Sequence, residues 1–150
     1  MTEPSAPSGG GEYRKPLPQP SAVSAPFWEG TRARELRIQR CRDCGQYIFY
    51  PREICPFCLS EHLEWAVASG RGRVHSYTVV RRAMHPAFQE DVPYLLAIVE
   101  LEEGPRLTTN IVGCQPEEVR VDMPVKATYD DVTPEITLLK FEPLLGPEAN

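Results

Sequence analysis

A chain of 150 residues with 41% hydrophobic content supports one dominant packed core with a small satellite, not two full domains. It has no run of eighteen or more apolar residues and no basic-then-apolar start of the secretory type, so a soluble, cytoplasmic protein without a membrane span is expected. The formal net charge of −5 divides unevenly: residues 1–82 hold 12 Lys/Arg against 8 Asp/Glu, and residues 83–150 hold 4 against 13, so the second half should repel polyanions.

Among the first 26 residues, 13 are Pro, Gly or Ser, too few apolar groups to offset the entropy of ordering. Residues 1–21 are therefore read as a disordered tail. Ser24 can N-cap a short helix running through Pro26, Phe27 and Trp28 to about Arg34, because proline is tolerated in the first helical turn; Gly30 weakens it. Successive helical residues point about 100° apart, so Phe27 and Trp28 can divide between the chain's own core and a partner, or both can pack at home.

From Glu35 the apolar period becomes two, with Leu36 and Ile38 on one face, giving a short strand that leads into Cys41. Trp65 and Val67 mark another. Beyond the Gly70-Arg71-Gly72 turn, strands are expected over Arg73–Arg82, Tyr94–Glu102, Arg106–Val112, Met123–Tyr129 and Ile136–Phe141, separated by proline and glycine breakers. Only Pro116–Arg120 reads as helical. Five strands with a small helix after the third is the order of an OB-type barrel. The fold class is mainly β, divided as tail 1–21, helix and metal ribbon 22–68, barrel 69–143 and C-terminal tail 144–150.

Cys41-Arg42-Asp43-Cys44-Gly45 and Cys55-Pro56-Phe57-Cys58 place thiols in two tight pairs with ten residues between them. Each turn lets two sulfurs face one ion, and two turns complete a tetrahedron. One structural zinc per chain is expected, with Cys41, Cys44, Cys55 and Cys58 as its ligands and no open position for catalysis. Rubredoxin-type iron competes, but Leu59 stands where that family has glycine after the second pair. His62 is read as a surface residue, since four thiolates suffice.

No motif for catalysis is legible. His85 sits in a proline-bounded loop with Glu90 and Asp91, His75 lies on a strand, and Cys114 has nothing in its sequence neighbourhood to depress its pKa. The arginines around the ribbon and the first barrel strand, including Arg32, Arg34, Arg73, Arg81 and Arg82, can meet the phosphates of a ligand, a nucleic-acid backbone or an acidic protein surface, or form local salt bridges.

Several stretches together resemble one family: proteins with a rubredoxin-like zinc ribbon and an OB fold, catalogued as domain of unknown function thirty-five and called acyl-CoA-associated. They are Phe27-Trp28-Glu29, the two cysteine pairs with Tyr50-Pro51-Arg52 between them, Gly72 to Val80, Pro93-Tyr94, Val99 to Leu107, Asn110-Ile111-Val112-Gly113 and Met123-Pro124-Val125. The resemblance covers about Pro26 to Phe141. It departs at Asp122, where the family commonly has glycine, although aspartate tolerates positive φ better than most residues.

The resemblance implies an accessory subunit of thiolase-superfamily enzymes, or of hydratases acting on acyl-CoA, without chemistry of its own. Some such subunits accompany thiolase-like aldolases that shorten sterol side chains; others bridge thiolase and hydroxymethylglutaryl-CoA synthase. Phe27, Trp28, Arg32, Arg34, Arg73, Arg81 and Arg82 become candidates for contact with the partner or its CoA thioester. A single-stranded nucleic-acid module is the alternative that OB folds raise, opposed by the acidic second half, since grooves that track phosphates need the opposite charge. A self-sufficient enzyme is the third.

Overall fold

The computed structural model describes residues 15–144. The expected tails therefore lie outside the described residues at 1–14 and 145–150. Within the described part, Lys15 forms an ion pair with Asp91, and Leu144 is buried, its N–H donating to Pro124 O at 3.0 Å.

Helix α1 (Ala25–Arg32) carries Pro26 in its first turn, where the missing N–H has no intrahelical acceptor to lose. It stops two residues short of the expected Arg34 because Arg34 adopts φ 63°, and the Glu35 N–H returns to Gly30 O at 2.8 Å. Gly30 is needed for this turn: a Cβ there would lie 2.8 Å from Arg37 Cγ and 2.9 Å from Glu35 O. Ser24 does not cap with its side chain; its hydroxyl accepts instead from the Ser21 N–H at 2.9 Å.

A three-stranded antiparallel sheet comes next, ordered β2-β1-β3, from β1 (Arg37–Cys41), β2 (Tyr47–Ile48) and β3 (Leu63–Val67). The barrel strands are β4 (Arg71–Val80), β5 (Tyr94–Leu101), β6 (Arg106–Ile111), β7 (Pro124–Asp131) and β8 (Thr137–Pro143), closed in the order β4-β5-β6-β8-β7. That is the OB arrangement expected from the strand count. β4 begins two residues before the expected Arg73 and ends at Val80 rather than Arg82. The expected helix at Pro116–Arg120 is one 3-10 turn, Pro116–Glu118, and an unforeseen second one covers Pro86–Phe88; both start at proline and are too short to carry a 3.6-residue period.

Period two explains the barrel. Along β5, Leu95, Ala97, Val99 and Leu101 turn inward while Leu96, Ile98 and Glu100 face out. Val74, Val99, Val125 and Phe141 are fully buried at the centre, each contributing about 1.5–3 kcal/mol by leaving water. Phe27, Leu36 and Ile38 join the same core, so helix and ribbon are packed on the barrel rather than tethered to it. The connector is fixed as well, because the Ser69 N–H donates to Glu103 Oε2 at 2.8 Å.

Two irregularities mark β4. Gly72 lets β5 come close, since a Cβ at that position would lie 2.5 Å from Glu100 O. A bulge between Val74 and Ser76 leaves His75 out of the ladder and exposed. Ahead of β7, Asp122 has φ 70°, the left-handed conformation for which glycine is commonly used.

Candidate metal centre and aromatic groove

The two cysteine pairs fold into the same turn twice. In the first, the Gly45 N–H donates to Cys41 O at 2.9 Å and the Cys41 N–H to Gln46 O at 2.9 Å; in the second, Leu59 N–H reaches Cys55 O at 2.9 Å and Cys55 N–H reaches Ser60 O at 2.8 Å. Cys41 and Cys55 are buried, Cys44 and Cys58 exposed. All four Sγ atoms lie within 4.8 Å of one another, with Cys41 to Cys58 at 3.5 Å and Cys44 to Cys55 at 3.7 Å. Four thiolates about 2.3 Å from a tetrahedral zinc have S···S edges of roughly 3.8 Å, so the cage fits the ion.

The surrounding amides lean toward this charge. The Cys44 N–H, 3.5 Å from Cys41 Sγ, outweighs burial and draws the Cys41 thiol down to about 6. At Cys58 the Ser60 amide also lowers the pKa, but burial and the sulfurs of Cys41, Cys44 and Cys55 push it up to about 12. Sulfurs this close ionise together only around a cation. Zinc supplies that cation as a structural ion, and the closed thiolate shell leaves no position for a bound water. His62 stays outside it, exposed, with Nδ1 3.0 Å from Asp43 Oδ2.

A second feature lies where the ribbon meets the barrel. Phe27 and Trp28 meet edge-on with ring centres 4.9 Å apart, Phe27 and Phe49 are at 5.5 Å, and Phe49 and Tyr50 at 4.5 Å. The two helical aromatics divide as their angular separation allows: Phe27 is 6% exposed and part of the core, while Trp28 is half-buried. Trp28, Phe49, Tyr50, Leu107, Thr109 and Leu139 line a cavity of about 510 Å³. A neighbouring cavity, also about 510 Å³, is lined by Lys15, Phe88, Tyr94, Cys114 and Pro116 among others. Both touch Asn110, Leu138 and Lys140, because β6 and β8 pair only at Ile111 and Phe141 and diverge from there. The Thr109 hydroxyl, 3.2 Å from Leu139 O, bridges part of this opening.

The arginines sort by partner. Arg37 pairs with Glu35, Arg40 and Arg42 with Glu64, and Arg34 with Asp131. Arg32, Arg73, Arg81 and Arg82 are exposed and carry no ion pair among the described residues. They do not form one patch: Arg73 and Arg81 lie near opposite ends of β4, roughly 25 Å apart along an extended strand.

Neither loop candidate for chemistry is poised. His85 Nδ1 accepts the Ala87 N–H at 3.0 Å, capping the 3-10 turn. Burial, with help from the Glu118 charge, raises the Cys114 thiol above its ordinary pKa, the opposite of activation. Sequence reasoning missed Phe49 as the ring that joins the helix to the ribbon; its signal was the Phe49-Tyr50-Pro51 run directly after a strand of two residues.

Residues 28–64 match the family described as "ChsH2, rubredoxin-like zinc ribbon domain" and residues 65–130 the family "ChsH2, C-terminal OB-fold domain". The chain is 39% identical over 136 residues to a probable enoyl-CoA hydratase alpha subunit of Thermomonospora curvata, covering 91% of this chain but 42% of that protein. It is 40% identical over 101 residues to a DUF35 domain-containing scaffold protein of Methanothermobacter thermautotrophicus, covering 67% of this chain and 75% of the relative. It is also 32% identical over 97 residues to the benzoylsuccinyl-CoA thiolase subunit BbsA of Geobacter metallireducens, covering 65% of this chain and 63% of that one. Among solved structures, one titled "Ltp2-ChsH2(DUF35) aldolase" superposes with a TM-score of 0.77 at 39% identity, covering 86% of this chain and 100% of that chain. With its zinc cage, ribbon sheet and closed barrel in the same order, the chain belongs to the DUF35 family of ChsH2-type zinc-ribbon and OB-fold proteins.

Proposed function

We propose that this chain is a cytoplasmic, non-catalytic accessory subunit that binds a thiolase-superfamily enzyme, a thiolase or thiolase-like aldolase of sterol side-chain or fatty acyl-CoA metabolism, and helps form or support its acyl-CoA site. The observation that carries the reading is the likeness to the whole chain in the Ltp2-ChsH2(DUF35) aldolase structure. The chemistry of this chain agrees with it. The metal is closed, His85 is spent on a cap, and the Cys114 thiol is pushed up, whereas catalysis needs an activated nucleophile or a positioned acid–base pair.

In this reading, Trp28 anchors the partner beside the aromatic groove, and Arg32, Arg73, Arg81 and Arg82, which carry no ion pair among the described residues, complement acidic groups or steer CoA phosphates. The relative named as a hydratase alpha subunit makes an acyl-CoA hydratase the other candidate partner. Co-expression with a thiolase-like protein of the same host, followed by size-exclusion chromatography and an acyl-CoA cleavage assay, tests the reading. Co-elution and dependence of cleavage on this chain are expected. Separate elution with full activity of the thiolase-like protein alone overturns it, and co-elution with a hydratase instead moves the subunit to that enzyme.

A further inference from the structure

The two zinc knuckles are built alike but are filled differently at one position. The residue after the second cysteine of each pair has positive φ: 77° at Gly45 and 65° at Leu59. Each uses its N–H in the same way, at 2.9 Å to the carbonyl of the first cysteine. Glycine adopts this conformation freely, whereas a leucine there is strained.

That strain secures no burial in return. Leu59 is 76% exposed, and two more large apolar side chains of the same knuckle stand out with it: Phe57 at 63% and Ile54 at 48%. A strained residue that presents apolar surface to water is accounted for by function more readily than by folding.

The charge around the tip narrows the occupant. Zinc in four thiolates is formally dianionic, and Glu53 and Glu61, both exposed, have no salt bridge among the described residues. Asp43 is hydrogen-bonded to Ser60 and His62. Arg52 is the nearby exposed cation without an acidic partner among the described residues. With Phe57 and Arg106, itself paired with Glu100, it lines a cavity of about 390 Å³ between ribbon and barrel, so the acidic, apolar part of the tip is the side carrying Ile54, Leu59, Glu53 and Glu61. A second copy of this chain would bring two such acidic tips together, which like charge opposes.

We propose that the second zinc knuckle, tipped by Ile54, Phe57 and Leu59, is a docking site for a protein whose receiving groove is apolar and rimmed by lysine or arginine. The proposal goes beyond the accessory-subunit reading and does not require that the protein be a thiolase.

Photocrosslinking in the native host tests it. The full-length, zinc-loaded chain carries p-benzoyl-phenylalanine at Phe57, and a second chain carries it at Trp28. The expected result is an adduct from position 57 to an identified protein, mapped to a peptide that combines apolar residues with lysine or arginine. With that protein purified, Leu59→Gly and Glu61→Lys each weaken binding at least tenfold, while the thermal midpoint of the isolated Leu59→Gly chain holds or rises. The proposal is overturned by no adduct at position 57, or by one with lipid or a second copy of this chain. It is equally overturned if Leu59→Gly binds like the parent or lowers the thermal midpoint. Failure of the Trp28 position alone to reach a thiolase-like protein counts against the accessory-subunit reading and leaves the result at position 57 standing.

Discussion

Arg34 and Asp131, 97 positions apart, form a two-pronged ion pair, Nη1 to Oδ1 at 2.8 Å and Nη2 to Oδ2 at 2.6 Å. Arg34 stands just past the end of α1 and Asp131 at the end of β7, so the pair clamps the end of the helix to a strand against which α1 already packs. The Arg34 guanidinium, then the Thr137 hydroxyl at 2.6 Å, hold the Asp131 carboxyl well below the usual carboxylate range. A carboxylate with a depressed folded pKa stabilises above its unfolded value, about 3.9, and loses that contribution as pH falls toward the folded one. A carbon-13 NMR titration should find Asp131 ionised throughout pH 3–6. Arg34→Ala should move its midpoint upward. A normal midpoint in the parent chain would refute the clamp.

Removing the metal or one ligand should separate the two halves of the molecule. Cys55→Ser deletes a buried ligand, and structural zinc sites in small fingers are worth about 10–16 kcal/mol of folding energy. Zinc content should fall from one equivalent to less than half, and amide resonances of residues 37–67 should collapse toward random-coil shifts while those of β4 to β8 persist. Collapse of the barrel signals as well would mean that the shared core around Leu36 and Ile38 needs the ribbon intact.

Trp28 and Phe27 should behave oppositely despite being adjacent. Phe27 is in the core, so Phe27→Ala should cost about 3–5 kcal/mol of stability, read from a urea midpoint. Trp28→Ala, at a half-buried ring edge-on to Phe27, should lower stability less than Phe27→Ala does and leave the zinc content unchanged, yet weaken a partner complex by about 2 kcal/mol or more if the indole is an interface anchor. A double alanine variant would confound folding with binding.

Gly72 should tolerate no side chain. A Cβ placed 2.5 Å from Glu100 O and 2.8 Å from Val99 Cγ1 must push β5 away from β4, and forcing extra atoms into a packed site costs about 1–3 kcal/mol. Gly72→Ala should lower the thermal midpoint accordingly. Alanine at Gly104, where no described atom lies within 4 Å of the added Cβ, meets only the strain of φ 120°.

What could be read from sequence was what repeats at short range. The cysteine spacing specifies a tetrahedral cage by itself, and the alternation of Leu95, Ala97, Val99 and Leu101 marks a half-buried strand. β2 is Tyr47–Ile48, too short to show any period, and its pairing with Gln39 and Arg40 is a tertiary fact. Asp131 could not be assigned to Arg34 because nothing local in either segment points across 97 residues. The Phe27, Phe49 and Tyr50 ring contacts depend on how the ribbon settles against α1. Ser24 looked like a cap, but the alternative acceptor role toward Ser21 won, as local side-chain hydrogen bonds often do at helix starts.

The meeting of β6 and β8 at Ile111 and Phe141 bears on the order of assembly. Each hairpin of the barrel joins strands that are neighbours along the chain, and the zinc cage closes within Cys41–Cys58, so both form with little loss of loop entropy. The β6–β8 seam is the parallel closure, held by the Val112 N–H to Phe141 O at 2.8 Å, and it is available only after β7 has turned back. With the β4–β7 pairing of Arg71–Arg73 against Pro124–Lys126, the other seam between strands distant in the chain, it should form after the hairpins and open ahead of them in native-state hydrogen exchange, with the Val112 amide exchanging well before those in the middle of β5.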